Sequence, residues 1–265
     1  MGNSVGTGAG GITAEVIEVD NLDTLEKLGT PSLAGKIVFF NRPMDPRQIN
    51  TFAAYSGAVD QRVFGANEAG KYGAVAALVR SMTPNFDDVP HTGTMAYTDG
   101  ERQIPGIAIS TNDADVLSAL LKEGSVRVLL KSNCRNLPPV ETYNVIGEVR
   151  GSTYPDEIIL VGGHLDSWDI GEGAHDDGSG CVQSMQVLPL LRSINYRPQR
   201  TFRCVLFMNE ENGLAGGRAY WAASNEAGEF HLLAIESDRG GFIPHGFTAE
   251  AQDEVFADYL RRLNS

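Results

Sequence analysis

The chain has 265 residues, 42% of them apolar and 21% charged, which suits one large or two medium domains, each with its own core. Its net charge of −13 lacks the basic footprint that nucleic acid requires. No apolar run reaches the length of about 18 residues that a membrane span needs.

The first eleven residues are glycine-rich and uncharged. They have neither the basic start nor the apolar stretch of a signal peptide. Gly6, Gly8 and Gly11 fit the spacing of a dinucleotide-binding loop, but no strand precedes them, so a flexible terminus is expected. Short β-like runs follow at residues 36–40, 75–79, 104–109 and 126–130. Residues 83–90 are rich in turn formers. Ser110 or Thr111 is suited to cap a helix that ends near Gly124, with Val116, Leu117, Leu120 and Leu121 on its inner face. Cys134, Cys181 and Cys204 make no C-x-x-C pair and no disulfide framework; the latter two lie in apolar runs and read as buried thiols.

Leu137-Pro138-Pro139 reads as a boundary, giving a first domain over 1–137 and a second over 138–265. In the second, strands are expected at 144–149, 157–161, 201–208 and 232–236, with near-continuous apolar runs that suit parallel strands covered on both faces. A helix is expected after Gly178, with Val182, Met185 and Leu188 inward and Pro189 kinking or ending it. A last helix over 254–263 gathers Val255, Phe256, Tyr259, Leu260 and Leu263 on one face. The fold class is α/β, a doubly wound, mostly parallel sheet preceded by a smaller α/β unit.

Three of these strands run into metal-ligand residue types. The first leads to His164-Leu165-Asp166, the second to Asn209-Glu210-Glu211, and the third to Glu236-Ser237-Asp238. Between the first two, Gly173-Ala174-His175-Asp176-Asp177-Gly178 opens the helix. Carboxyl ends of parallel strands are where sites form in open α/β sheets, so four segments deliver imidazole and carboxylates to one edge. Zinc takes both donor types. Two nearby metals need a shared carboxylate, which one of two adjacent aspartates can supply. Adjacent glutamates let one bind metal while the other moves protons. A solvated acidic rim is the rival explanation, and for Glu210-Glu211 alone, a helix start favoured by its dipole. Trp168 and Trp221 suit a substrate wall or core packing; Arg239 suits a substrate carboxylate or, preferably, neutralisation of the acids.

The segments Gly163-His164-Leu165-Asp166-Ser167, Ala174-His175-Asp176-Asp177-Gly178-Ser179-Gly180, Asn209-Glu210-Glu211 and Glu236-Ser237-Asp238, in this order, resemble the motifs of the M28 family of zinc peptidases. Residues 164–169 and 236–238 resemble one branch of it in particular. Residues 1–137 are similar to the protease-associated domain inserted in that branch, a likeness to which His91-Thr92-Gly93 and Tyr97-Thr98-Asp99-Gly100 add. The resemblance implies a metallo-exopeptidase that cuts terminal bonds of dipeptides or short peptides with two zinc ions. His164, Asp176 and Asp238 would hold one zinc, and Asp176 would bridge to a second that also takes Glu211. Glu210 would be the general base and then the acid. Asp166 would join the catalytic set by orienting the His164 ring, and a cis peptide would join Asp176 to Asp177. The resemblance also implies a peptide substrate, an extracytoplasmic location (secreted, lysosomal or periplasmic) and room for a homodimer.

One departure stands beside the match. The family places a further His on the second zinc, downstream of the Asp238 position, and the sequence reaches Ser265 without it. Of the remaining histidines, His91 lies in the other region, His231 at the wrong end of its strand, and His175 would point away; His245 is the best substitute. A fragment of a longer protein is therefore expected. Two rivals remain: a non-catalytic binding module on the same fold, which predicts lost ligands, and a metallohydrolase of non-peptide amides.

Overall fold

A computed structural model describes residues 1–168, 170–238, 240–243, 246, 248 and 254–263, with the backbone alone at 255, 257, 259, 260 and 263. Asp169, Arg239 and His245 lie outside the described residues, as do the side chains of Val255, Tyr259, Leu260 and Leu263. The chain divides into two compact units, Met1–Glu141 and Thr142–Ser265, four residues beyond the expected boundary at 137.

The first unit is a five-stranded sheet in the order β4-β3-β2-β1-β5. Its strands are β1 (Ile12–Val19), β2 (Ile37–Phe40), β3 (Ala76–Arg80), β4 (Gly106–Ile109) and β5 (Arg127–Leu130). The first four run parallel and β5 lies antiparallel to β1. The run Ile-Val-Phe-Phe of β2 is wholly buried because helices cover both of its faces. Val38 and Phe40 join Val79, Leu25 and Leu33 on the side of helices α1 (Asp23–Leu33) and α4 (Gly65–Lys71). Ile37 and Phe39 join Val16, Leu78 and Leu117 on the side of helix α5 (Thr111–Glu123). Two short helices, α2 (Thr51–Ser56) and α3 (Asp60–Val63), precede α4.

Strand β1 was not expected. It holds Glu15 and Glu18 inside a paired strand, which reads as a loop in sequence. Both acids are partnered: Glu15 pairs with Lys36, and Glu18 accepts from Asn41 Nδ2 at 2.6 Å and Ser118 Oγ at 3.0 Å. The glycine-rich terminus, expected to be flexible, makes defined contacts here. Gly2 bridges Thr94, Ser4 is buried, and Thr7 N donates to the Ser132 carbonyl at 3.0 Å. Helix α5 starts at its expected cap, and of the four residues expected inward Leu117 is buried and Leu121 packs against the same core. Ala114, Leu117 and Ser118 are buried, whereas Val116 and Leu120 are exposed.

The second unit is a four-stranded sheet in the order β6-β8-β7-β9. It comprises β6 (Val145–Val149), β7 (Tyr154–His164), β8 (Arg200–Phe207) and β9 (Phe230–Glu236). β7 runs parallel to both β8 and β9, and β6 is antiparallel to β8. Helix α6 (Ser179–Ser193) covers one face, where Val161, Cys204 and Leu206 meet Cys181, Val187 and Leu188. On the other face Ile158, Leu160 and Val205 meet Phe207 and Tyr220, the latter from helix α7 (Ala215–Ala227). The architecture is thus mixed α/β with one antiparallel strand in each sheet. Helix α8 (Glu254–Leu263) follows.

The expected inner face of α6 holds only at Leu188, which packs against the core. Val182 and Met185 are exposed, and the buried positions are Gly180, Cys181 and Ser184. The helix also continues through Pro189 to Ser193. A proline leaves only the carbonyl four residues earlier without its N–H; that residue is the exposed Met185, where water can serve. Trp221 is exposed, and no helix among the described residues is long and apolar enough to cross a membrane.

The Ser110 hydroxyl is fully buried and accepts from Asp113 N at 3.0 Å, capping α5. Ser110→Ala should lower the unfolding free energy of the chain by about 1 kcal/mol, read from urea melts, with Ser110→Thr losing less. An unchanged midpoint would show that the cap contributes nothing.

Candidate metal centre

Three segments bring ligands together at one end of the second sheet. His164 closes β7 and is 2% exposed. Its Nε2 lies 2.9 Å from Asp176 Oδ1 and 3.2 Å from Asp238 Oδ1, and the three ligand atoms fall within 4.8 Å of one another. Asp176 sits in a single wide turn, Ala174–Gly178, that runs into α6, and Asp238 follows the end of β9. The Asp176–Asp177 peptide is cis.

Glycines let these segments converge. A Cβ at Gly163 would lie 2.4 Å from Asp177 Oδ2, and one at Gly180 would lie 1.7 Å from the Ser237 carbonyl oxygen. A side chain at Gly163 would displace the Asp177 carboxylate, and one at Gly180 would displace the backbone next to Asp238. Asp177, 1% exposed, then fastens the junction. Its carboxylate accepts from His164 N at 2.9 Å and Gly180 N at 3.0 Å, joining the end of β7 to the start of α6. Burial pushes its pKa up to about 6, against those hydrogen bonds and the His164 charge.

The His164 ring is oriented by a backbone group. Its Nδ1–H donates to the Asp166 carbonyl oxygen at 2.9 Å, which leaves Nε2 facing the two aspartates. The Asp166 carboxylate, expected to do this, is 3.9 Å from Nδ1. It accepts instead from the backbone N–H groups of Glu210 at 2.9 Å and Glu211 at 3.2 Å. Sequence reasoning found Asp166 beside the ring, and the fold adds that the turn after β8 passes above its carboxylate.

Glu210 and Glu211 stand beside the triad, outside its tight cluster. Burial raises the pKa of Glu210, with Asp238, Asp166 and Asp176 adding to the rise and His164 opposing it. Burial, then the charge of Asp176, lifts Glu211 to about 7. For His164, burial favours the neutral ring, but the Asp166 carbonyl and the charges of Asp238, Glu210 and Asp176 outweigh it and push the pKa up to about 9. The site therefore calls for a cation at Nε2.

The triad fits zinc. Two donors on a tetrahedral zinc with bonds of about 2.0–2.1 Å stand about 3.3 Å apart. The Nε2–oxygen separations of 2.9 and 3.2 Å are close to this, and the donor set of one imidazole and two carboxylates is one that zinc accepts.

The other histidines are elsewhere. His175 stacks on Phe242 with ring centroids 5.0 Å apart and accepts from Gly241 N at 3.1 Å. His91 lies in the first unit, 3.5 Å from Asp87. His231 pairs with Ile158, far down the strands from His164, within a second polar network. There Arg203 makes two 2.8 Å bonds to Glu229 and one to the Tyr220 hydroxyl, which donates to His231 Nε2 at 2.7 Å. His231 Nδ1 faces Ser224 Oγ at 3.4 Å.

Residues 144–264 match the model of peptidase family M28. The chain is 39% identical to carboxypeptidase Q of Bos taurus over 256 residues, covering 96% of this chain and 52% of that protein. It is 28% identical to a probable leucine aminopeptidase 2 of Aspergillus fumigatus, covering 95% and 49%. Among solved structures, the peptidase M28 precursor from Shewanella amazonensis matches with a TM-score of 0.77 and 35% identity, over 93% of this chain and 55% of that one. A zinc aminopeptidase from Bacillus subtilis shares the fold, with a TM-score of 0.60 and 21% identity over 89% and 51%. The chain thus spans about half the length of the curated relatives it matches.

Burial first, then the Arg203 charge, lowers the pKa of His231, with Glu229 opposing. Below about pH 6.5 the unfolded chain gains a proton on this ring that the folded chain refuses, so this stabilisation is present above that pH and is lost as pH falls towards the lower folded value. The stability difference between the chain and His231→Asn should therefore shrink from pH 7.5 to pH 5.5 in urea melts. A difference that stays constant would mean that the ring is not held neutral.

Proposed function

The second unit of this chain is a domain of peptidase family M28, and from that premise we propose a zinc-dependent exopeptidase that hydrolyses terminal peptide bonds of dipeptides or short peptides. The observation that carries this reading is the meeting of His164, Asp176 and Asp238 from three separate segments, with Glu210 beside them.

His164, Asp176 and Asp238 would hold one zinc ion; Asp176 would share a second with Glu211. Zinc, when bound, polarises a peptide carbonyl and lowers the pKa of water. The Glu210 carboxylate takes the proton of the attacking water as its oxygen bonds to the carbonyl carbon, and delivers it to the nitrogen as the C–N bond breaks. Its raised pKa suits both halves of that transfer, because a carboxyl too acidic would hold no proton for the leaving amine. Burial around His164 and Asp177 keeps water away from the back of the site. The first unit we assign to the protease-associated type, on its sequence resemblance, with no metal ligand of its own.

Glu210→Gln keeps the shape of the side chain and removes the base. Turnover of a dipeptide should fall by about 10²–10⁴-fold while zinc content stays the same. Near-normal turnover would remove Glu210 from the mechanism, and a parent chain inactive on a dipeptide panel but active on acylated amino acids would redirect the substrate class.

Zinc titration should find one tightly held ion and a second that binds only at much higher concentration. Among the described residues, the first set includes an imidazole and the second only Asp176 and Glu211, which form a weaker and less zinc-selective pair. Two ions of equal affinity would show that a further ligand completes the second set.

A further inference from the structure

The Asp166 carboxylate is mostly buried, at 16% exposure, and is spent on two successive backbone N–H groups. Its two oxygens divide the work: Oδ1 takes Glu210 N at 2.9 Å and Oδ2 takes Glu211 N at 3.2 Å. Successive N–H groups turned towards one anion form a compact cradle, and charge-assisted bonds of this kind are the stronger ones. The turn they hold is not self-sufficient. It leaves β8 through Asn209 at φ +65° and enters α7 through Leu214 at φ +61°, both in the left-handed region that side chains disfavour. Its internal bonds run from Gly213 N and Leu214 N to the Glu210 carbonyl at 3.2 and 3.3 Å and from Ala215 N to the Asn209 carbonyl at 3.3 Å, and they leave the N–H groups of Glu210 and Glu211 to Asp166. Asp166 itself is fixed by the sheet, because Leu165 N donates to the Phe207 carbonyl at 2.6 Å and extends the pairing of β7 with β8 up to the site.

We propose that the Asp166 carboxylate is a positioning group for the Glu210–Glu211 turn, setting where the base stands through its backbone. The ring has its own anchor in the Asp166 carbonyl, which any residue at this position would keep. One residue thus serves the two halves of the site by separate atoms, the carbonyl for the ligand and the carboxylate for the base. The inference rests on the peptidase reading only for its effect on turnover.

Asp166→Asn tests it, because the amide retains one acceptor and sets an NH2 group against the other N–H. Amide exchange at Glu210 and Glu211 should accelerate by about tenfold or more. The dipeptide kcat should fall about 10²-fold with KM and the affinity of the tight zinc each within about threefold, as expected for a base displaced by about 1 Å. Zinc affinity falling by about 10–100-fold with exchange unchanged would overturn the proposal and return the carboxylate to the His164 ligand. If the variant fails to fold, the unchanged chain decides. Slow exchange at both amides supports the contact, and exchange as fast as that of an exposed loop overturns it. Exchange and zinc binding need no turnover, so they stand even if the dipeptide panel rejects the peptidase reading.

Discussion

The buried carboxylate of Asp177 ties the last residue of β7 to the first turn of α6, and the geometry of the metal centre hangs on that tie. It places Asp176, the preceding residue, opposite His164 Nε2. It also requires the bare backbone at Gly163 and Gly180, since a Cβ at either would strike it or the strand end that carries Asp238. A buried carboxyl is costly to ionise, and its pKa of about 6 reflects this. Two short N–H bonds keep it in place.

Around that junction the protein concentrates negative charge. Asp166, Asp176, Asp238, Glu210 and Glu211 surround one imidazole, and the first four each raise the pKa of a neighbour. Without a cation such a cluster opposes folding of its own edge, and a cation bound among the acids would offset that repulsion. Burial of His164 and Asp177 strengthens the field that the acids produce, because water cannot screen it there. The second polar network, centred on Arg203, is the opposite case. Its charges are partnered within the protein: Arg203 bonds Glu148 and Glu229, and burial lowers the pKa of His231. It welds strands and helix, and it leaves no demand for a ligand.

Much of the chain was legible from residue patterns. Every expected strand forms within a few residues of its reading; the run Ile37–Phe40 is wholly buried between two covered faces, whereas β6 and β9 are mostly exposed. Strand β1 escaped because its two glutamates look like surface residues until Lys36, Asn41 and Ser118 are seen beside them. Helix faces were partly misread for a related reason. In α5 and α6 small residues, Ala114 and Ser118 in one and Gly180, Cys181 and Ser184 in the other, share the inner stripe with Leu117 and Leu188, while Val116, Leu120, Val182 and Met185 face outward. Hydrophobicity ranks Val182 or Leu120 above the small residues, but close packing of a helix on a sheet selects for size.

The sequence by itself determined the chemistry available: which segments carry imidazole and carboxylate, and that they follow strand ends and so share one edge of a sheet. The tertiary structure decided which atoms do what. It drew His164, Asp176 and Asp238 within 4.8 Å of one another and left Glu210 and Glu211 outside that cluster. It gave the His164 ring to a backbone carbonyl and the Asp166 carboxylate to two backbone N–H groups. Residue type sets what a group can donate or accept, and that is local information. Which partner it meets depends on the path of distant segments, here the turn after β8 lying over the end of β7, and only the folded chain fixes that path.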